Sequence, residues 1–194
     1  MSGEIPARDP AHHVIRIGHW VGSALLIAGL SGPVVAQEPN KIFDEGVAAY
    51  ERADYAAAWF SFWSLAQRGD AAAQFNLSRL YNFGHGVEDD LGQARRWLDA
   101  SARQGHSAAI FSLGQYYHLG LGGPVDLHAA RALYETAAEA GYAPAQFNLA
   151  RMHELGAGAP RDLATARRWY TRAAEQRLER ARDALIRIGG APIR

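Results

Sequence analysis

The nonapeptide GDAAAQFNL runs from Gly69 to Leu77, and GYAPAQFNL runs from Gly141 to Leu149. A shift of 36 residues places a more divergent copy, GHSAAIFSL, between them at Gly105 to Leu113. The same shift aligns, without a gap, Gly84, Gly120 and Gly156; Gly86, Gly122 and Gly158; Asp90, Asp126 and Asp162; Ala94, Ala130 and Ala166. A fixed period of about 20–50 residues is typical of solenoids, so the chain is predicted to be a tandem array.

The array contains three units, at 69–104, 105–140 and 141–176, and each unit is predicted to form two helices, A and B. In unit one the apolar side chains fall at the spacing of one helix face in both halves. These positions are Ala73, Leu77, Leu80 and Tyr81 for helix A, and Leu91, Ala94, Leu98 and Ala102 for helix B. The expected fold is therefore all-α.

The segments between helix A and helix B are rich in glycine and end in aspartate: YNFGHGVEDD, YHLGLGGPVD and HELGAGAPRD. The first glycine of each is suited to the left-handed conformation that ends a helix. The aspartate is suited to accept the free amide hydrogens at the start of helix B. In unit one, Gln93 follows Asp90 by three residues and predicts a capping box.

Both ends of the array are degenerate. Residues 37–68 predict an N-terminal helix pair with a shorter turn. Residues 177–194 predict a capping helix and tail, in which 177–188 is helix A of an unfinished fourth unit. Arg180, Arg182 and Arg187 are expected to cover its outer face, since terminal units with a polar outer side keep arrays soluble.

The three units resemble the Sel-1-like repeat family, whose pattern is A-x-x-x-L-G-x-x-Y-x-x-G-x-G-V, then D, A-x-x-W-[YF]-x-x-A-A and G. They read AQFNLSRLYNFGHGVEDDLGQARRWLDASARQG, AIFSLGQYYHLGLGGPVDLHAARALYETAAEAG and AQFNLARMHELGAGAPRDLATARRWYTRAAEQ. Departures include Ser78 and Ala150 for glycine, His153 for tyrosine and Leu133 for tryptophan. The resemblance implies a right-handed, tetratricopeptide-like α-solenoid of stacked antiparallel helix pairs. It also implies an adaptor, of a type that in bacteria is often exported.

Residues 1–36 have the order of a signal peptide: a basic segment with Arg8 and Arg16, the apolar run VGSALLIAGL, then Pro33 and small residues. Val34 and Ala36 suit the −3 and −1 positions of a cut after Ala36. The alternative is an uncleaved N-terminal anchor, because residues 17–37 carry no charge and could span a bilayer. Both interpretations place the array in the periplasm, the second as a form anchored to the inner membrane.

The composition of the chain limits the partners, metal sites and catalytic groups that we expect. Twenty Lys and Arg balance 20 Asp and Glu, so nucleic acid is not the expected partner. Without cysteine there is no thiolate metal site and no thiol nucleophile. Neither a G-x-S-x-G nor an S-x-x-K motif is present, and the histidines lack metal-ligand spacing. We therefore expect no enzyme activity, no cofactor and no metal.

The resemblance to tetratricopeptide units places a binding groove on the concave face of helix A, where each unit offers an aromatic, an amide or hydroxyl, and a long polar side chain. The predicted groove residues are Phe75, Asn76, Arg79, Asn82, Phe111, Gln115, His118, Phe147, Asn148, Arg151 and Glu154. Packing between repeats is the alternative role for the three phenylalanines, and a structural role is the alternative for Asn76 and Asn148. In the cluster Trp59, Phe60, Phe62 and Trp63, two rings are expected in the core, with the others free for a partner or membrane.

The expected function is that of an exported adaptor whose groove holds an extended segment of another envelope protein. The resemblance implies a role in envelope signalling or polysaccharide export. Two alternatives stay open. One is a hydrolase acting on cell-wall or sugar substrates, like the family members described as β-lactamases, and the other is a purely structural brace.

The exported protein is predicted to begin at Gln37, because Val34 and Ala36 suit the peptidase and Pro33 interrupts the helix before them. N-terminal sequencing of the protein recovered from the producing cell is the measurement. A start at Met1 or Ser2 would favour the anchor.

Overall fold

The computed structural model describes residues 39–189. These residues form nine α-helices joined by short turns, and no strand occurs among them. The helices are α1 (Pro39–Glu51), α2 (Tyr55–Ala66), α3 (Ala71–Phe83), α4 (Leu91–Ala102), α5 (Ser107–Leu119), α6 (Leu127–Glu139), α7 (Ala143–Leu155), α8 (Leu163–Glu175) and α9 (Glu179–Arg187). Each helix packs against the next, and short connections make neighbours antiparallel. The predicted signal or anchor at 1–36 lies outside the described residues.

The predicted helix pairs are confirmed as an α-solenoid. The pairs α3–α4, α5–α6 and α7–α8 correspond to units one to three, α1–α2 is the N-terminal pair and α9 is the first helix of an unfinished unit. Two alanine positions in each unit are buried completely and let the helices approach closely. They are Ala73, Ala109 and Ala145 on helix A, and Ala94, Ala130 and Ala166 on helix B.

Glycine and aspartate end and start the helices as the sequence predicts. Gly84, Gly120 and Gly156 adopt the left-handed conformation after α3, α5 and α7. The carboxylates of Asp90, Asp126 and Asp162 accept backbone N–H bonds of 2.9, 2.9 and 3.0 Å at the start of α4, α6 and α8. These caps fix both edges of each connecting turn.

The capping box predicted at Asp90 and Gln93 is only half formed. The backbone N–H of Gln93 donates to the Asp90 carboxylate, but the backbone N–H of Asp90 donates to the carbonyl of Tyr81 at 2.9 Å. The same backbone bond recurs from Asp126 to Tyr117 and from Asp162 to His153, both at 2.8 Å. The reciprocal bond of a capping box would run from the Asp90 N–H to the Gln93 side chain. It does not form, because that N–H already donates within the turn.

A buried glutamine is shared by the two units that contain the sequence AQFNL. Nε2 of Gln74 donates to the last carbonyl of α2 at 3.2 Å, and Nε2 of Gln146 donates to Ala138 at 3.1 Å. Their Oε1 atoms accept bonds of 2.8 and 2.9 Å from Gln104 and Gln176, each 30 residues later. The middle copy replaces the glutamine by Ile110, which is buried as an apolar residue. The polar group and its partner are thus present together or absent together.

The second glycine of each turn sets how closely the units stack. Gly86, Gly122 and Gly158 have φ angles of 74°, 63° and 72°. A Cβ on them would lie 2.7, 2.6 and 2.8 Å from backbone atoms of the first residue of the preceding helix B, at Tyr55, Leu91 and Leu127. Glycine is therefore required here for its backbone conformation and for its missing side chain.

The arginines of α9 differ from the expectation. The guanidinium of Arg180 lies 4.5 Å from the ring centroid of Phe147, and Arg187 forms an ion pair with Glu154. The expected placement on the outer face is wrong for these two residues. Arg187 occupies the repeat position of Arg151, one period later, and both Arg180 and Arg187 contact side chains of α7.

A matched pair of variants separates the two demands on glycine. Gly122→Ala should lower the free energy of unfolding by about 2–4 kcal/mol, from the left-handed backbone and the contact with the Leu91 carbonyl. Gly141→Ala should cost about 1–2 kcal/mol, because Gly141 has φ 87° but no atom of residues 39–189 outside its immediate neighbours lies within 4 Å of its Cβ position. Arg177, at the corresponding position, already carries a side chain at φ 64°. Urea unfolding followed by circular dichroism is the measurement, and equal losses in both variants would contradict the stacking role.

Candidate protein-binding groove

Two adjoining cavities open along the A helices. The first, of about 280 Å³, lies between α3 and α5, and the second, of about 330 Å³, lies between α5 and α7. Both are lined by Gln115 and Leu119, so they form one groove across three units. This groove is the surface on which the predicted site residues can be placed.

Seven of the eleven predicted residues line these cavities. They are Phe75, Arg79 and Asn82 in the first, His118, Asn148 and Arg151 in the second, and Gln115 in both. The remaining four are Asn76, Phe111, Phe147 and Glu154, and each has its side chain engaged elsewhere.

Phe111 and Phe147 pack between repeats, the alternative role considered for them. The ring centroid of Phe111 lies 5.6 Å from that of Tyr134 and 5.3 Å from that of Tyr142. Phe147 lies 5.4 Å from Tyr170, and Arg180 covers its ring. Aromatic pairs at these separations stabilise the contact between successive units.

Asn76 supports a neighbour. Its Nδ2 donates to the carbonyl of Ala72 at 3.0 Å, and its Oδ1 accepts a long bond of 3.5 Å from Arg79. The Arg79 guanidinium also lies 5.2 Å from the ring centroid of Tyr50, within cation–π range. Asn76 therefore orients Arg79, and Arg79 is the residue that lines the cavity.

Glu154 is buried in an ion pair and is not a free acceptor in the groove. The Tyr170 hydroxyl donates to one carboxylate oxygen at 2.7 Å, and Arg187 donates to both oxygens. The hydrogen bond from Arg187 holds the pKa of Glu154 below its ordinary value. The repeat period gives one signal for Arg187, because it follows Arg151 by 36 residues and so extends from the same face of α9 toward α7. The period does not identify Glu154 as its partner.

Sequence reasoning missed one position of helix B that reaches into the groove. Tyr134 and Tyr170 are fully buried, and their rings pack beside Phe111 and Phe147 between successive A helices. Burial raises the pKa of Tyr134 to about 12, while a hydrogen bond from Asn148 opposes the rise. A Cβ on Gly114 would lie 2.7 Å from the Tyr134 ring, so glycine makes room for it. The period alone aligns these tyrosines, and in unit one the aligned residue is Leu98.

Exposed apolar side chains follow the groove. Phe83, Leu119 and Leu155 are the last residues of α3, α5 and α7, and they are 57%, 62% and 66% exposed. One such residue per unit forms an apolar row. The N-terminal aromatic cluster is divided in a similar way: Phe62 is buried, whereas Phe60 is exposed and Trp63 stacks on the half-buried Trp59.

A third cavity, of about 550 Å³, lies away from the groove against α6 and α8 and is lined mainly by charged side chains of both signs. His153 lies at its base, and burial lowers its pKa. Within 39–189, no three His, Cys, Asp or Glu residues form a group able to hold a metal ion. None of the helices α1–α9 has the length and hydropathy needed to cross a bilayer.

The Glu154 cluster predicts a pH-dependent contribution to stability. A carboxyl whose pKa is lowered by folding stabilises the native state above its ordinary pKa of 4.5, and this is lost as the pH falls through the lower, folded value. Glu154→Gln should therefore cost about 1–3 kcal/mol at pH 7, and the difference from wild type should shrink at low pH. Glu175→Gln, an exposed change, is the control. A cost for Glu154→Gln that is the same at pH 7 and pH 3 would contradict the ion pair.

Solved structures with this fold match the chain. A Sel1 repeat protein from Oxalobacter formigenes aligns with 30% identity over 74% of this chain and 59% of its own, with a TM-score of 0.70. A protective antigen of uropathogenic Escherichia coli with an SLR fold aligns with 27% identity over 80% of this chain and 35% of its own, with a TM-score of 0.73. The chain thus spans little more than half of the first protein and about a third of the second. No curated protein sequence matches the chain.

The Sel1 repeat profile matches residues 71–106, 107–142 and 143–178, which have the 36-residue period of the units and begin two residues later. These matches cover more than half of the 194 residues. The chain belongs to the Sel1 repeat family.

Proposed function

We propose that this protein is an exported adaptor that holds an extended, acidic segment of another envelope protein in the groove of its A helices. Sel1 repeats generally mediate protein–protein interaction, which supports the general class. The observation that carries the proposal is the charge of the groove: arginines line it, and the one carboxylate predicted there is already paired.

Charge argues for an acidic partner. Arg79 lines the first cavity, and Arg151 and Arg180 line the second. No aspartate or glutamate is among the described residues that line these two cavities. Glu154, the nearest predicted acid, is neutralised by Arg187. Within 39–189, none of these three arginines forms a salt bridge, so each can form bidentate bonds with acidic side chains of a bound segment.

Shape argues for an extended segment. The two cavities adjoin at Gln115 and Leu119, so an occupant can continue from one unit to the next. Phe83, Leu119 and Leu155 offer an apolar contact once per unit along that path. Exposed apolar side chains beside fixed polar groups are typical of protein-binding surfaces.

The same residues weigh against the hydrolase alternative. Acid–base hydrolysis of a sugar uses two carboxyl groups facing the substrate, and none of the described lining residues of the groove cavities is a carboxylate. Nδ1 of His118 is buried and has no hydrogen-bond partner among the described residues, so no nucleophile of this part of the chain is bonded to it. Arg8, Arg16 and the following apolar run support export, and the periplasm is the compartment we propose.

Reversing the groove charge tests the proposal. The double variant Arg151→Glu, Arg180→Glu should bind the partner at least about tenfold more weakly, because both changes repel an acidic segment. A pull-down from envelope extract after in-cell crosslinking, with mass spectrometry, identifies the partner and measures its capture. Arg68→Glu with Arg96→Glu is the control, since both residues are exposed and lie outside the cavities.

Circular dichroism of both double variants keeps the result interpretable. Exposed side chains usually contribute less than about 1 kcal/mol, so both variants should stay folded. Full capture by a folded groove variant would overturn the proposal and favour another surface, such as the one formed by Phe60 and Trp63. Absence of any specific partner in the crosslinked sample would favour the structural brace.

A further inference from the structure

Unit one lacks the tyrosine that packs on the helix A phenylalanine in units two and three. Leu98 occupies the position of Tyr134 and Tyr170, and it lines the 280 Å³ cavity between α3 and α5. We propose that this cavity is a pocket for the side chain of a tyrosine carried by the bound partner segment. The assignment rests on the proposed function, because it names the group that anchors the segment in the same groove.

The shape of the pocket can be compared with the two units that have a tyrosine at this position. Tyr134 and Tyr170 are 1% and 0% exposed, and each ring packs on the phenylalanine of its own helix A, with centroids 5.6 and 5.4 Å apart. Phe75 is the equivalent phenylalanine in unit one, and it lines the cavity there. In unit two a cavity of about 330 Å³ remains beside Tyr134, but Phe111 is not among the described residues that line it. A cavity of about 150 Å³ can hold a benzene molecule, so 280 Å³ is enough for one ring with its hydroxyl group.

The polarity of the pocket also matches a phenol. In unit three, the Tyr170 hydroxyl donates to Glu154, and in unit two the Tyr134 hydroxyl lies by Asn148 and Arg151. Around Leu98, the positions equivalent to these three partners are Asn82 of unit one and Ser112 and Gln115 of unit two, all of which are polar and line the cavity.

One of these groups is already oriented by the protein. The Oδ1 atom of Asn82 accepts a bond of 2.5 Å from the Tyr116 hydroxyl, which leaves the Asn82 NH₂ group as a donor. Ser112 and Gln115 can each donate and accept. A buried phenol needs such partners for its hydroxyl, whereas a phenylalanine or leucine side chain would leave them unpaired.

The charge beside the pocket and the composition of the chain point to a partner as the source. Arg79 lines the cavity, so acidic residues next to the tyrosine would be favoured. Residues 1–38 and 190–194 contain no tyrosine and no phenylalanine. These two segments therefore do not supply a tyrosine side chain.

The variants are copied from the other units. Leu98→Tyr with Ser78→Ala reproduces the pair formed by Tyr170 and Ala150, and should cover Phe75 with the protein's own ring, so that a second ring no longer fits against it. Tyr134→Leu makes the converse change, and should extend the cavity of unit two to Phe111, which gives it a second pocket of the same kind.

The probe is p-cresol, the isolated side chain of tyrosine, titrated into the full chain and followed by amide chemical shifts in NMR spectra. It should bind saturably and shift the amides of Phe75, Gln115 and Leu119. Binding should weaken by about tenfold or more in Leu98→Tyr, Ser78→Ala. Toluene, which lacks the hydroxyl, should bind more weakly than p-cresol, and Tyr134→Leu should bind a second equivalent.

The proposed pocket would be contradicted if p-cresol did not bind saturably. It would also be contradicted if the filled variant, Leu98→Tyr with Ser78→Ala, folded and bound p-cresol as well as wild type. Should the filled variant fail to fold, Tyr134→Leu decides alone: a second equivalent supports the pocket and its absence overturns it. Saturating p-cresol should also reduce partner capture in the pull-down, and undiminished capture would overturn the assignment to a partner's tyrosine. These titrations need no partner, so their failure leaves the proposed function standing, and full capture by the charge-reversed variant leaves the ring pocket standing.

Discussion

The close contact between a turn glycine and the preceding helix pair is the constraint on which the array depends. Gly86, Gly122 and Gly158 each bring the backbone of one turn against the first carbonyl of the helix B before it. A Cβ has no space at these points, so the distance between successive pairs is set by backbone atoms. Because that distance is short, a side chain from helix B can reach between two A helices, as Tyr134 and Tyr170 do. The depth of the groove therefore follows from glycines that lie outside it.

Polar groups in the interior of the array are kept only where a partner is present. The buried Gln74 and Gln146 each meet a glutamine from the following turn, and Ile110 replaces them where that partner is absent. The terminal helix is secured in a similar manner. A nine-residue helix is marginal by itself, but α9 buries Ala181 and Leu185 and binds Glu154 through Arg187.

The units share a backbone but differ in what they present in the groove. Unit three has a buried ion pair at the position where unit two has His118 and unit one has Asn82. In units two and three a tyrosine packs on the helix A phenylalanine, whereas in unit one Phe75 and Leu98 line an open cavity. Repetition provides the extended surface, and these single differences give the surface its polarity, with an open cavity and Arg79 at one end and a closed, neutralised cluster at the other.

Period, helix ends and family could be read from the sequence, because the 36-residue spacing, the left-handed glycines and the capping aspartates are local properties of the chain. The same spacing also placed seven of eleven groove residues on the cavities. The roles of Asn76, Phe111, Phe147 and Glu154 depended on contacts with other helices. Arg187 lies 33 residues from Glu154, and no local pattern shows that it takes up both carboxylate oxygens. Only the packed structure decided which groove positions remain available, because each side chain's availability depends on what the neighbouring unit places against it.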